Sequence, residues 1–164
     1  MTAAVLGLLR RMLGFARGEG VERQFGAIPY RRGAHGLEFL LITSRRTGRW
    51  IFPKGGRIGW LSPVACAAQE AYEEAGVEGV VAAEPVGSYR GTKQRPEGES
   101  EIEVALYPLE VEVELDDWPE RGQRRRRWAG LEETCELVSD PGLDALVRAL
   151  AARLCEKAPP GPAP

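Results

Sequence analysis

Residues 50–77 read WIFPKGGRIGWLSPVACAAQEAYEEAGV, and the way this stretch divides decides the fold. It opens on the short strand-type run Trp50 to Phe52 and passes into a glycine-rich loop, PKGGRIGWL. An apolar-periodic segment from Pro63 to Ala75 then predicts a helix. Ser62 suits its N-cap, Pro63 the first helical position, and Gly76 the left-handed residue beyond its end. At ~100° per residue, Val64, Ala67, Ala68, Ala71 and Ala75 form one stripe of small side chains, suited to close packing on a sheet. Glu70, Glu73 and Glu74 fall together on a different arc. Like charges at such spacing destabilise a helix by about 0.2–0.5 kcal/mol per pair, a sign that a bound divalent cation would reverse.

Outward from this helix the chain reads as strands. FGAIPY and LEFLLIT, separated by the turn-rich RRGAHG, precede it. VEGVVAAEPVGSY follows as one or two strands. EIEVALYPLEVEVEL alternates with period two, which predicts a half-buried antiparallel strand, and Pro108 within it predicts an edge or a bulge. RRRRWAG reads as one more strand. LEETCELV and GLDALVRALAARLCEK carry helical spacing, the second with Leu143, Leu146, Val147, Leu150 and Leu154 on one face. Strands on both sides of one central helix, with a second helix at the end, predict an α+β fold with a mixed sheet covered on both faces.

The whole chain sets bounds. Its 164 residues suffice for one domain with a core of its own. The 22 basic and 24 acidic side chains leave a net charge of -2, which selects no class of partner. Three scattered cysteines (Cys66, Cys135, Cys155) and the single His35 do not assemble a tetrahedral zinc site and suit a reducing compartment, so a cytoplasmic location is expected. Residues 1–20 carry Arg10, Arg11 and Arg17 after their apolar run, the reverse of a secretory signal. They are expected to form an arm or short helix, with a mitochondrial-type presequence or membrane-surface helix as the alternative. No stretch approaches the ~20 apolar residues of a transmembrane helix. Residues 158–164, rich in proline, are expected to be a disordered tail.

The chemistry gathers around the helix. Gly55 and Gly56 let backbone approach a polyphosphate without Cβ clashes, and Lys54 and Arg57 flank them with positive charge. Taken separately, the glutamates read as a solvated helix face and the glycines as a turn. Together they describe carboxylates that hold a metal and a metal that holds phosphate oxygens, an arrangement suited to Mg²⁺.

These residues resemble the Nudix box, G-x5-E-x7-R-E-U-x-E-E-x-G-U with U apolar. Gly55, Glu70, Ala71, Glu73, Glu74, Gly76 and Val77 stand at the required spacings. The resemblance implies a Nudix-type α/β/α sandwich with a central mixed β-sheet over residues 21–157, and a phosphohydrolase that cleaves diphosphate linkages. It further implies that Glu70, Glu73 and Glu74 are catalytic and ligate Mg²⁺ or Mn²⁺ with the Lys54 carbonyl, Glu70 being the first candidate for the base. Members of the family often recruit a further glutamate from outside the box; Glu97, Glu99, Glu101 and Glu103 are available but read as solvated acids near a loop. Two positions depart from the box: Leu61 replaces its first glutamate and Gln69 its arginine. Losing both members of an ion pair is gentler than losing one, so apolar packing by Leu61 and Trp60 is expected to rebuild that junction.

SRRTGRW before the box and DDWPERGQRRRRW after it resemble the diphosphoinositol-polyphosphate and diadenosine-polyphosphate branch of the family. The expected partner is therefore a small-molecule polyphosphate, contacted by Ser44, Arg45, Lys54, Gly55, Gly56, Arg57 and Lys93, with Arg46 and Arg49 adding charge. The run Arg124 to Arg127 reads either as a phosphate-binding wall or as a solvated, partner-facing segment. Trp60, Trp118 and Trp128 read as core or loop anchors, so no stacking platform for bases accompanies the arginines and nucleic acid is not expected. An RNA 5′-end pyrophosphohydrolase and a catalytically silent binding module remain the alternatives. Either a monomer or a homodimer is compatible with the sequence.

Overall fold

The computed structural model describes residues 21–156. The expected N-terminal arm and Pro-rich tail lie outside the described residues. Eight strands form one mixed sheet: β1 (Glu22–Gly33), β2 (Gly36–Thr43), β3 (Trp50–Ile51), β4 (Lys54–Gly56), β5 (Val77–Val81), β6 (Gly87–Arg95), β7 (Gly98–Glu114) and β8 (Arg126–Gly130). The helices are α1 (Pro63–Glu70), which continues as a π-turn over Ala71–Ala75, α2 (Leu131–Leu137) and α3 (Leu143–Glu156). The spine runs β3-β2-β1-β7-β5, with β4 also paired to β1, β6 to β7 and β8 to β2. The β1–β7 pair is parallel and the others are antiparallel.

Alternation along the strands builds two cores. Ile28, Phe39, Leu41, Ile102, Val104 and Leu106 face α2 and α3, where Leu143, Val147 and Leu150 meet them. Their neighbours Ala27, Leu40, Ile42, Tyr107 and Leu109 face the opposite way, onto Ala67, Ala71 and Ala75 of the α1 segment. The alanine stripe thus sets α1 close against the sheet, and the molecule is the expected α/β/α sandwich. Among the described residues no helix is long and apolar enough to cross a membrane.

The ends of α1 follow their sequence signals. Ser62 Oγ accepts the Ala65 N–H at 3.2 Å, Pro63 opens the helix, and Gly76 closes it at φ 65°, ψ 40°. Ser62→Ala is expected to lower stability by about 1 kcal/mol, read as a shifted urea midpoint at unchanged slope.

Three expectations need correction. The expected glycine loop contains a strand: Lys54–Gly56 pairs with Gln24–Gly26, so the glycines are held by β1. Pro108 lies in a central strand, with neither an edge nor a bulge at its own position. The Ala82 N–H donates to its carbonyl at 2.9 Å, so that side of residue 108 faces the gap between β5 and β6, where no ladder bond is required of the proline nitrogen. Trp60 packs on nothing, being 94% exposed. The junction is tied by Cys66 instead: it is buried, takes the Ile58 N–H on its sulfur at 3.5 Å, and lies 3.9 Å from the Leu61 carbonyl. Leu61 and Gln69 line an open groove of about 410 Å³ with Ala65, Ala68, Tyr72 and Leu109.

Candidate active site

Strand β4, the C-terminal half of the α1 segment and the loops after β2 and β7 enclose a cavity of about 670 Å³. Of the residues singled out in the sequence, Ser44, Arg45, Arg46, Arg49, Lys54, Gly55, Gly56, Glu70, Glu74 and Lys93 line it. Arg57 and Glu73 do not. Arg57 is exposed beyond the end of β4, and the Glu73 carboxylate accepts the Gln69 amide N–H at 2.6 Å.

The π-turn explains why the three box glutamates separate. A wider turn advances less per residue than an α-helix. Three residues on from Glu70, Glu73 therefore falls further short of a full turn, while Glu74 stays close beneath Glu70. The arc drawn on an α-helical wheel holds for two carboxylates and loses the third.

Glu70 is seated directly against backbone. A Cβ on Gly55 would lie 1.9 Å from Glu70 Oε1, so a side chain there would displace the Glu70 carboxylate from its seat. Burial, reinforced by the charges of Glu74, Glu73 and Glu120, pushes the Glu70 carboxyl up to about 7. Glu74 is 8% exposed and is also raised, mainly by burial. Two contacts oppose that rise: Arg124 Nη2 donates to Oε1, and the Lys54 N–H donates to Oε2 at 3.0 Å. Burial lowers the Lys54 ammonium below its usual value, partly offset by Glu74 and Asp140.

Sequence reading missed Glu120 and the particular role of Arg124. Glu120 lines the cavity from the β7–β8 loop, with its N–H on the Glu73 carbonyl at 3.1 Å and its carboxylate on Arg124. The acids considered earlier do not line the cavity. Glu99 accepts from Gln94, Glu101 pairs with Arg90, Glu103 pairs with Arg23, and Glu97 is exposed near the β6–β7 turn. The available signal was an acid four residues before an arginine in the turn-forming WPERGQR.

The arginine run divides between the two readings, with Arg124 in the cavity wall and Arg125 and Arg127 exposed. Arg124 is buried in the cavity wall and Arg125 stands over Trp50 at 5.7 Å. Arg126 lies 4.1 Å over Trp118 and donates to the Ala75, Gly76 and Leu115 carbonyls, closing the end of the π-turn. Arg127 pairs with Glu133 at the surface. Trp118 and Trp128 are indeed anchors. The first lies between Gly76 and Arg126, and the second donates to Glu114 beneath Arg31.

The donor set suits a hard cation: carboxylates and backbone, with no thiolate or imidazole among the cavity-lining residues. Among the described residues no three acidic, histidine or cysteine side chains yet stand at ligating distance. Glu70 and Glu74 share the cavity, and Gly55 leaves the room beside Glu70 that a side chain would fill. The residues fit a divalent cation whose remaining ligands come from rotation of a neighbouring carboxylate, water or substrate.

The raised carboxyl carries a pH consequence. An unfolded glutamate titrates near ~4.3, and Glu70 titrates near 7 in the fold. The folded protein therefore binds that proton more tightly. The associated stability is fully present below the unfolded value and is lost as pH rises through the folded one. The melting temperature in EDTA is expected to fall between about pH 5 and 8, and to fall less in Glu70→Gln.

The family model for the NUDIX domain matches residues 21–150. The chain belongs to the Nudix family. It is 36% identical to the Arabidopsis thaliana protein "Nudix hydrolase 12, mitochondrial" over 105 residues, 62% of this chain and 52% of that one, so it spans about half that relative's length. It is 28% identical to the human "Diphosphoinositol polyphosphate phosphohydrolase 3-alpha" over 122 residues, 73% of this chain and 71% of that one. Among solved structures, the Caenorhabditis elegans Ap4A hydrolase binary complex superposes with a TM-score of 0.63 at 21% identity, covering 83% of this chain and 99% of that one. At that identity the likeness is one of fold. Within the Nudix frame, the cavity lies where β4 and the α1 segment bring the two parts of the box together.

Proposed function

We propose that this Nudix protein is a metal-dependent hydrolase of diphosphate linkages in a small, highly phosphorylated molecule. The observation that carries the reading is the seating of Glu70 and Glu74 against β4, inside a cavity whose rim is basic. Mg²⁺ or Mn²⁺, held by Glu70 and Glu74 with help from the Lys54 carbonyl and from Glu73 or Glu120, would act as a Lewis acid on the phosphoryl oxygens.

The chain's own residues supply the rest. Arg45, Arg46, Arg49 and Lys93 line the mouth and would take the phosphates, arginine offering bidentate contacts. Lys93 reaches that task from a pairing with Glu22 at 3.2 Å, which a phosphate would have to exchange. Gly56 leaves room for close approach of the phosphate chain, while Gly55 makes room for the Glu70 carboxylate. Glu70, once its carboxylate is ionised, would be the first candidate to orient an attacking water or to take its proton. The basic rim and the diphosphoinositol relative favour an inositol or dinucleoside polyphosphate over a simple nucleoside triphosphate.

A second reading, binding without turnover, draws on one observation: the Glu73 carboxylate is bonded to the Gln69 amide and does not line the cavity. The two readings separate in one assay. Phosphate release is measured with Mg²⁺ and with EDTA on diadenosine tetraphosphate, a diphosphoinositol polyphosphate, a nucleoside triphosphate and 5′-triphosphorylated RNA. Glu74→Gln controls for contaminating activity. Metal-dependent turnover of the first two is expected. Tight binding without turnover would mean a sensor, and preference for the RNA would move the substrate to nucleic-acid ends.

A further inference from the structure

Arg124 occupies an unusual place for a cation. Its side chain is 5% exposed, and all three guanidinium nitrogens are engaged: Nε with Glu120, Nη2 with Glu74, and Nη1 with the Thr43 carbonyl at 3.0 Å. It thus sits between two carboxylates of the cavity in which the proposed cation would bind. A guanidinium cannot be discharged by losing a proton in this pH range. In a buried setting its field is weakly screened. It therefore makes the paired carboxylates tolerable in the fold and, for the same reason, repels a divalent cation approaching them.

We propose that Arg124 is an internal counter-ion that holds the place of the divalent cation and sets the affinity of the site for it. The inference rests on the metal-dependent reading given above and assigns Arg124 a positioning role in it. With no cation bound, Arg124 neutralises Glu74 and Glu120. When a cation enters, the Glu74 carboxylate divides its charge between the two, and Arg124 keeps Glu120 on the same wall. Two consequences differ from those of a merely structural arginine. Removing the charge leaves the buried Glu74 carboxylate with the Lys54 N–H alone and the half-buried Glu120 with Arg45 alone, and destabilises the cation-free protein. The same removal deepens the well for a divalent cation.

Mn²⁺ binding, followed by the electron paramagnetic resonance of the free ion, tests this on the full chain without recourse to activity. Wild type, Arg124→Met and Arg124→Lys are compared, with thermal melts in EDTA and in Mn²⁺. Arg124→Met is expected to bind Mn²⁺ at least about tenfold more tightly than wild type, since a like charge has been removed from a weakly screened site. It should also melt lower in EDTA, with the gap narrowing on adding Mn²⁺. Arg124→Lys, which keeps the charge and loses the fork, should remain within about threefold of wild type. Weaker or unchanged binding by Arg124→Met would overturn the proposal, because an arginine that only orients Glu74 gives that result. Should Arg124→Met fold only with Mn²⁺, the proposal is supported. Should it fold in neither condition, the wild-type Arg124 Nε–H resonance decides: Mg²⁺ should shift it, and an unmoved resonance would overturn the proposal. Failure of wild type to take up Mn²⁺ would sink this inference and the metal-dependent reading together. Failure confined to the variants would leave the hydrolase standing.

Discussion

Glu70→Gln is expected to reduce phosphate release by about a thousandfold while making the metal-free protein more stable at pH 8. The two effects share one cause. Glu70 is buried against Gly55, close to the charges of Glu74, Glu73 and Glu120, and its carboxyl is pushed up to about 7. Above that pH the fold must hold an ionised group that water would hold better. A glutamine keeps the shape and removes the charge. The gain is expected to be about 1 kcal/mol, smaller than the full linkage value because the group is partly open to solvent. The same substitution removes a cation ligand and the proton acceptor, and the expected loss follows from that. Thermal melts in EDTA at pH 8 alongside turnover in Mg²⁺ check the pair. A variant that loses activity together with stability would mean that Glu70 is a packing residue.

Gly76→Ala is expected to lower stability by about 2–4 kcal/mol, combining left-handed strain with displacement of a packed ring. Gly76 sits at φ 65°, and a Cβ there would come within 2.6 Å of Trp118 Cδ2. The indole cannot retreat freely, because Arg126 lies 4.1 Å over its ring. Arg126 in turn donates to the Ala75 carbonyl at 3.1 Å and the Gly76 carbonyl at 3.3 Å, so moving the ring loosens the cap of the π-turn that carries Glu74. Glu120 follows Trp118 by two residues and would shift with it. Denaturant unfolding measures the loss, which should come with weaker Mn²⁺ binding. A change within about 0.5 kcal/mol, ordinary for a surface site, would show that the ring has room to move.

These two sites mark how far the sequence could be read. Ser62, Pro63 and Gly76 bound the helix because caps are local, decided by a few residues whose backbone needs are known. The two-sided core was legible for a similar reason, since period-two strands beside a period-3.6 helix leave few ways to bury both. Glu73 was misplaced because the wheel assumed α-helical geometry, and a π-turn follows from tertiary packing that no local pattern announces. The loss of the box ion pair at Leu61 and Gln69 suggests apolar packing by Trp60, yet Trp60 is exposed and the loop is tied by Cys66 through its sulfur. Glu120 and the pairing of Arg124 with Glu74 were not legible for another reason. Both residues come from the segment after β7, and only the folded chain brings them to Glu74. The run of four arginines divides into four environments: Arg124 and Arg125 lie in the loop before β8, and the strand turns Arg126 and Arg127 to opposite faces. Pro108 predicts an edge or a bulge, which holds for a uniform ladder and fails where two partner strands share one neighbour.

Glu70 and Glu74, held against Lys54–Gly56, are proposed to form the divalent-cation site on which turnover depends. Calorimetric titration of Mn²⁺ into wild type and into the Glu70→Gln/Glu74→Gln double variant tests it most directly, with both proteins checked for native melts. Wild type should bind with release of protons near pH 7, because Glu70 must ionise to ligate, and the double variant should not bind measurably at the same concentrations. Equal binding by a folded double variant would contradict the account, since the cation would then lie somewhere other than beneath the box glutamates.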